Sequence, residues 1–232
     1  MPKIPLALVI LLLLALGAGC ASTHVALRAE DLSAYRSGER LLVVLANASD
    51  ATLYAFQRPV EGGQWEELLW ANGFVGSGGI SHAKREGDGT TPAGRYSMRS
   101  GFSFKALPEA SIPCAVIGAS DVWVDDPGSR YYNQWADAGQ PERDWKSAEQ
   151  LIRYPTAYQY GIVIEYNTEP IIKGAGSAVF LHCSTGRPTA GCVSVPAHVM
   201  LRLLRFVHPD DAIVIAGSAA ELQTYAPPAE SL

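Results

Sequence analysis

The sequence has no surplus of positive charge. Its 18 Lys and Arg stand against 23 Asp and Glu, a formal net charge of −5, so it carries no electrostatic footprint for nucleic acid. Cysteine is scarce at four residues, and internal repeats and low-complexity linkers are absent. The long apolar run is lacking too: Ile4 to Leu16, after Lys3, is too short to span a bilayer comfortably. What remains is an ordinary globular composition, 48% hydrophobic and 18% charged, over 232 residues. That length holds one domain with a proper core, or a small domain with an appendage.

The N-terminus is expected to be a targeting segment rather than part of the fold. A positive start, an apolar run and the small residues Gly17, Ala18 and Gly19 lead into Cys20. The pattern resembles a bacterial lipoprotein signal, which implies residues 1–19 as signal peptide and lipidation at Cys20. Ordinary signal cleavage nearby and an uncleaved anchor are the alternatives. Each puts the protein outside the cytoplasm, and a lipid anchor tethers it to a membrane without spanning it. Cys114, Cys183 and Cys192 then remain in an oxidising compartment. With an odd number, one thiol stays free unless it pairs with another chain, and a free thiol there invites a chemical reason.

Residues 20–37 are polar and of mixed charge, and read as a tether with at most a short helical stretch. Leu41 to Leu45 and Thr52 to Gln57 are β-prone runs around Asn47-Ala48-Ser49-Asp50, a hairpin signal. Further β-prone segments are Trp65 to Val75, Tyr96 to Met98, Ala115 to Ile117, Gly161 to Tyr166, Val179 to Leu181 and Ala212 to Ala216. Helices are expected over Ser147 to Arg153, stopped at Tyr154-Pro155, and over Pro196 to Val207, where Val199, Leu203 and Phe206 repeat on one face. The fold class is therefore mainly β, a sandwich or barrel-like sheet with one or two short helices. One domain over residues 38–218 and a C-terminal tail over 219–232 is the simplest division.

The chemistry lies between Phe180 and Pro196. An apolar strand delivers His182, a turn-rich loop follows, and Thr189-Ala190-Gly191-Cys192 stands just before a helix-starting proline. A thiol nucleophile needs a base within hydrogen-bond reach, because free cysteine is only a few per cent ionised at neutral pH. The loop between His182 and Cys192 is long enough to fold back and bring the two together. Gly191 lets the backbone approach a substrate, and the amides of Gly191 and Cys192 are candidate donors to an oxyanion. The second imidazole nitrogen needs a partner that sets the tautomer. With no Asp or Glu in the Cys183 to Gly186 loop, a backbone carbonyl there is the candidate.

These residues resemble the L,D-transpeptidase catalytic domain, the YkuD-type family of cell-wall enzymes. That family has a strand-end histidine, a variable loop and Ser-His-Gly-Cys with the catalytic cysteine last. Thr189-Ala190-Gly191-Cys192 occupies that position, and His182 matches the upstream histidine. A second block, Arg85-Glu86-Gly87-Asp88-Gly89-Thr90-Thr91-Pro92-Ala93-Gly94-Arg95-Tyr96, is close to the family's Lys-Thr-Pro-x-Gly-x-Phe strand entry. Together the blocks extend the resemblance from His82 to Gly217. Ala190 stands where many members carry a second histidine, so what transfers is limited to Cys192, His182 and the Gly191 backbone.

The resemblance implies ping-pong acyl transfer on a peptidoglycan stem peptide. Cys192 attacks a carbonyl and forms a thioester; an amine from a second stem gives a cross-link, whereas water gives a carboxypeptidase or endopeptidase. A wall-binding lipoprotein with a decayed site is the remaining alternative. The resemblance implies no metal and no organic cofactor.

Other readings compete for the same side chains. Cys183 and Cys192 could close a structural disulfide, or join His182 in a metal site, although the spacing is not that of a zinc motif. Arg187, inside the loop, suits bidentate binding of a carboxylate or a loop-shaping role. Cys114 reads as a buried small hydrophobe. His82, beside Lys84-Arg85, reads as surface or as a cleft rim, and His198 and His208 as surface or capping residues. Asp121 to Tyr132 is rich in aromatics that suit either a cleft or a core.

Overall fold

The computed structural model describes residues 27–35, 38–58, 63–209 and 211–228. The expected signal segment 1–19 and the lipidation residue Cys20 lie outside them. Ten strands form one curled mixed sheet: β1 (Arg40–Asn47), β2 (Asp50–Gln57), β3 (Glu66–Phe74), β4 (Gly94–Ser97), β5 (Gly101–Ser103), β6 (Cys114–Val116), β7 (Tyr160–Val163), β8 (Phe180–Cys183), β9 (Val193–Val195) and β10 (Ala212–Ala216). Their order is β4-β10-β1-β2-β3-β9-β8-β7-β5-β6. The fold is mainly β, as expected, with α1 (Ala197–Phe206) and the single-turn α2 (Ala219–Leu222) as the α-helices among the described residues.

The β1–β2 hairpin forms where the turn residues predict it. Asn47 pairs with Asp50, leaving Ala48 and Ser49 as a two-residue loop. β1 is an unbroken run of buried side chains from Leu41 to Ala46 because both its faces are covered. Leu42, Val44 and Ala46 join Leu53, Ala55 and the α1 side chains Val199, Met200, Leu203 and Leu204 in the main core. Those α1 positions fall on one side of a helix, so burying them fixes the helix against the sheet. Pro196 precedes α1 in an extended conformation rather than opening it.

The opposite face of the sheet changes two expected boundaries. Leu41, Val43, Leu45, Tyr54 and Phe56 are covered by Leu27, Leu32, Tyr35 and Leu222. The segment expected as a tether (20–37) is thus packed over its described residues 27–35, with a short 3₁₀ turn at Ala29–Leu32. The expected tail (219–232) begins with α2, whose Leu222 is fully buried. The Tyr35 hydroxyl donates to the Leu222 carbonyl at 2.6 Å, and the Trp65 indole N–H donates to the Tyr35 carbonyl at 3.0 Å. A sheet whose second face is as apolar as its first requires such a cover.

A three-stranded sheet of Trp135–Asp137, Asp121–Trp123 and Glu149–Gln150, in that order, builds a third layer. It corrects the helix expected over Ser147 to Arg153. Glu149 and Gln150 pair with Trp123 and Val122, and only a 3₁₀ turn at Leu151–Arg153 follows. Strand pairing outweighs local propensity in so short a segment. Trp123 and Tyr132 are buried, so the aromatics of the 121–132 segment are largely core.

Leu32→Ala is expected to lower the unfolding free energy by about 2–4 kcal/mol in urea denaturation, since it empties a buried site. A free tether would give no change.

Candidate active site

β8 and β9 run parallel, with Leu181 opposite Val193, His182 opposite Ser194 and Cys183 opposite Val195. Side chains alternate across a strand, so paired residues share a face. Leu181, Cys183, Val193 and Val195 enter the main core, whereas Phe180 and Cys192 enter an aromatic cluster with Phe102, Trp123 and Tyr158. His182 is on this second face, its ring edge-on to Tyr158 at 5.5 Å between centroids. The two sequence-predicted residues therefore lie on one face, with Cys192 immediately before β9 and His182 within the adjacent β8.

His182 is 7% exposed, and its Nδ1 lies 3.0 Å from the Cys183 carbonyl oxygen. A carbonyl only accepts, so Nδ1 carries the proton of this hydrogen bond and Nε2 keeps its lone pair. Burial depresses the imidazole pKa from its ordinary value, against the opposing pull of that carbonyl. His182 is consequently neutral at pH 7, the form that accepts a proton.

Cys192 is 8% exposed. Its Sγ donates to the Ala178 carbonyl at 3.2 Å and accepts from the Phe180 N–H at 3.4 Å; neither bond goes to His182. Burial first, and then the Glu149 carboxylate, push the thiol up to about 12, against the Phe180 N–H and the Lys84 ammonium. Glu149 accepts a 2.5 Å hydrogen bond from the Tyr158 hydroxyl. Its own pKa is raised by burial and by Asp125, a rise that the Tyr158 bond opposes. The thiol of the free protein is thus held in its acid form.

The backbone of Cys192 is fixed from behind. Its carbonyl accepts from Thr189 Oγ1 at 2.6 Å and from Thr91 Oγ1 at 3.1 Å. Thr91 Oγ1 also accepts from the Gly76 N–H at 2.8 Å. Thr91 belongs to the Arg85 to Tyr96 block, so the two motif blocks meet in a hydrogen bond. Asp88 organises the rest of that block by accepting from Lys84 Nζ, the Arg85 and Thr90 amides and the Thr90 hydroxyl. Partial burial disfavours its charge, but these bonds win and hold its pKa at about 2. Sequence reasoning missed Tyr158, Glu149, Thr91 and Lys84 as neighbours of the thiol.

Gly191 has φ of +155°, and its N–H donates to Thr189 Oγ1 at 3.1 Å. Of the two amides expected to face an oxyanion, this one is engaged. Arg187 is exposed and makes no hydrogen bond or ion pair with a described residue. Cys183 and Cys192 face opposite sides of the sheet and both are free thiols, which rules out the disulfide and a metal site using the pair. No His, Cys, Asp and Glu group suited to a metal ion occurs among the described residues. Cys114 is half-buried. His82 pairs through Nε2 with Glu221 at 3.1 Å and through Nδ1 with the Tyr225 hydroxyl at 3.1 Å, so it joins the C-terminal segment. His198 and His208 are exposed.

Alkylation of Cys192 by iodoacetamide, read on its peptide by mass spectrometry, is expected to speed up about tenfold per pH unit from pH 7 to 10, following the thiolate fraction. A plateau reached below pH 8 would mean that the thiol is already ionised.

No curated protein sequence matches this chain. The family model of the L,D-transpeptidase catalytic domain, YkuD, matches residues 42–215, from β1 through β10. The matched span contains both motif blocks and every residue around the thiol, and it covers most of the sequence. The chain belongs to the L,D-transpeptidase catalytic-domain family.

Proposed function

We propose that this protein is a cysteine acyltransferase acting on peptidoglycan stem peptides, with Cys192 as nucleophile and His182 as its base. One observation carries this reading: Cys192 and His182 share a face of paired strands, while the Cys183 carbonyl ties up Nδ1 and leaves Nε2 able to accept a proton.

The thiol gives its proton to His182 Nε2 as Sγ attacks the carbonyl of an L-configured residue in the stem. Negative charge collects on the carbonyl oxygen; with the Gly191 amide engaged, the Cys192 N–H is the remaining candidate donor to it. The carbon–nitrogen bond then breaks, the imidazolium protonates the leaving amine, and a thioester remains on Cys192. An amine from a second stem attacks the thioester, His182 takes its proton, and the new amide departs as the thiol re-forms. Arg187, exposed in the loop, suits a stem carboxylate.

Incubating the protein with a tetrapeptide stem is expected to add the acyl fragment to the Cys192 peptide, seen by mass spectrometry. The adduct disappears in Cys192→Ala, and His182→Ala slows its formation about 10²–10⁴-fold. If the Cys192→Ala protein still processes the stem, the reading is wrong. Trimmed stems without dimers among the products would assign water as the acceptor.

The N-terminal pattern further supports export and a lipid anchor on Cys20. Metabolic labelling with an alkyne fatty acid is expected in the natural sequence and lost in Cys20→Ser. Label retained in the variant would sink the anchor.

A further inference from the structure

Lys84 is one of the two buried Lys and Arg residues among the described residues, at 8% exposure, although His82 and Arg85 close by are exposed. Its ammonium donates to Asp88 Oδ1 at 3.1 Å and to the Thr90 carbonyl at 2.7 Å. Two glycines make room for the side chain. A Cβ on Gly176 would fall 2.9 Å from Lys84 Cε and 3.2 Å from Cδ, and a Cβ on Gly191 would fall 3.1 Å from Nζ. Both glycines have positive φ, +114° and +155°, so any other residue there would be strained as well as crowded. The Gly176 N–H donates to the Tyr132 hydroxyl at 3.0 Å, and that hydroxyl donates to Glu86.

The two glycine segments are those that hold the thiol. Gly176 lies two residues before Ala178, whose carbonyl accepts the thiol proton, and Gly191 immediately precedes Cys192. One side chain therefore touches the chain on both approaches to the nucleophile. The ionisable groups around Cys192 are Glu149, Tyr158, His182 and Lys84. At neutral pH the Tyr158 phenol and the His182 imidazole are uncharged, so the Lys84 ammonium is the cation that opposes the Glu149 carboxylate.

We propose that Lys84 is a positioning residue for Cys192, its stem setting the separation of the Gly176 and Gly191 segments and its ammonium supplying positive charge behind the thiol. The proposal rests on Cys192 being the nucleophile. It separates Lys84 from Arg85, its exposed neighbour in the same basic pair. Asp88 both anchors the ammonium and tempers its charge, so removing either partner has a predictable sign. A lysine that only braced the loop would make the two removals act in the same direction.

The test follows iodoacetamide alkylation of Cys192 by peptide mass spectrometry between pH 7 and 9. Lys84→Met keeps the stem and removes the charge, and is expected to slow alkylation about tenfold at each pH, equivalent to one pH unit. Asp88→Asn leaves the ammonium without its counter-charge and is expected to accelerate alkylation. In the stem-peptide assay Lys84→Met should lower kcat and leave KM unchanged. Unchanged alkylation in Lys84→Met, or slowing in both variants, overturns the proposal. If Lys84→Met does not fold, Asp88→Asn decides by itself: acceleration supports the proposal, and an unchanged or slower rate overturns it. Alkylation requires no stem peptide, so failure of the acyl-transfer reading would show separately, as a missing thioester in the natural sequence.

Discussion

The site depends on a parallel pairing between two strands that are close in sequence. Parallel neighbours normally need a long crossover, because the chain must return the full length of the first strand before it can start the second. β8 and β9 have only four and three residues, so the loop 184–192 suffices for the return. That economy has a chemical consequence. A parallel register places His182 and Cys192 on one face without a helix between them, and it sends Cys183 to the other face. The disulfide and metal readings fail for the same geometric reason that makes the histidine–cysteine pair possible.

Around that pairing, burial and charge pull in opposite directions. The aromatic cluster that shapes the face also removes the thiol from water, which disfavours thiolate more than any neighbour favours it. It likewise keeps His182 neutral, so the base is ready while the acid is reluctant. In the proposed mechanism, proton transfer from Cys192 to His182 is therefore unfavourable in the free protein and becomes favourable only as charge moves onto a bound carbonyl. Such an arrangement protects the thiol from oxidation and alkylation, since both follow thiolate character and access.

How much was legible in the sequence follows the range of the interactions. The β1–β2 hairpin, β10 and α1 announce themselves through alternation, turn residues and helical spacing over a few residues. His182, Cys192 and the carbonyl partner of the histidine were legible because they lie in one short strand–loop–strand stretch. The 147–153 segment misled because its pairing partner, Trp123, is distant in sequence, and the packed face of residues 27–35 was hidden by polar neighbours. Lys84 had no local signal. Its role appears only when Gly176 and Gly191, far along the chain, come to rest against it.

The same contacts hold the main chain and the thiol of Cys192 with unequal strength. Two threonine hydroxyls hold the Cys192 carbonyl, one from each motif block, and Gly191 before it sits where a Cβ would crowd the Thr90 carbonyl and the Lys84 ammonium. The backbone is thus over-determined. The thiol is held by the Ala178 carbonyl and the Phe180 amide, through a sulfur that is a weak donor and a weak acceptor. In the proposed mechanism the thiol proton leaves the Ala178 carbonyl for Nε2 of His182. A fixed main chain and a thiol capped by a carbonyl let the site rest protonated until a bound substrate changes the balance of charge around sulfur.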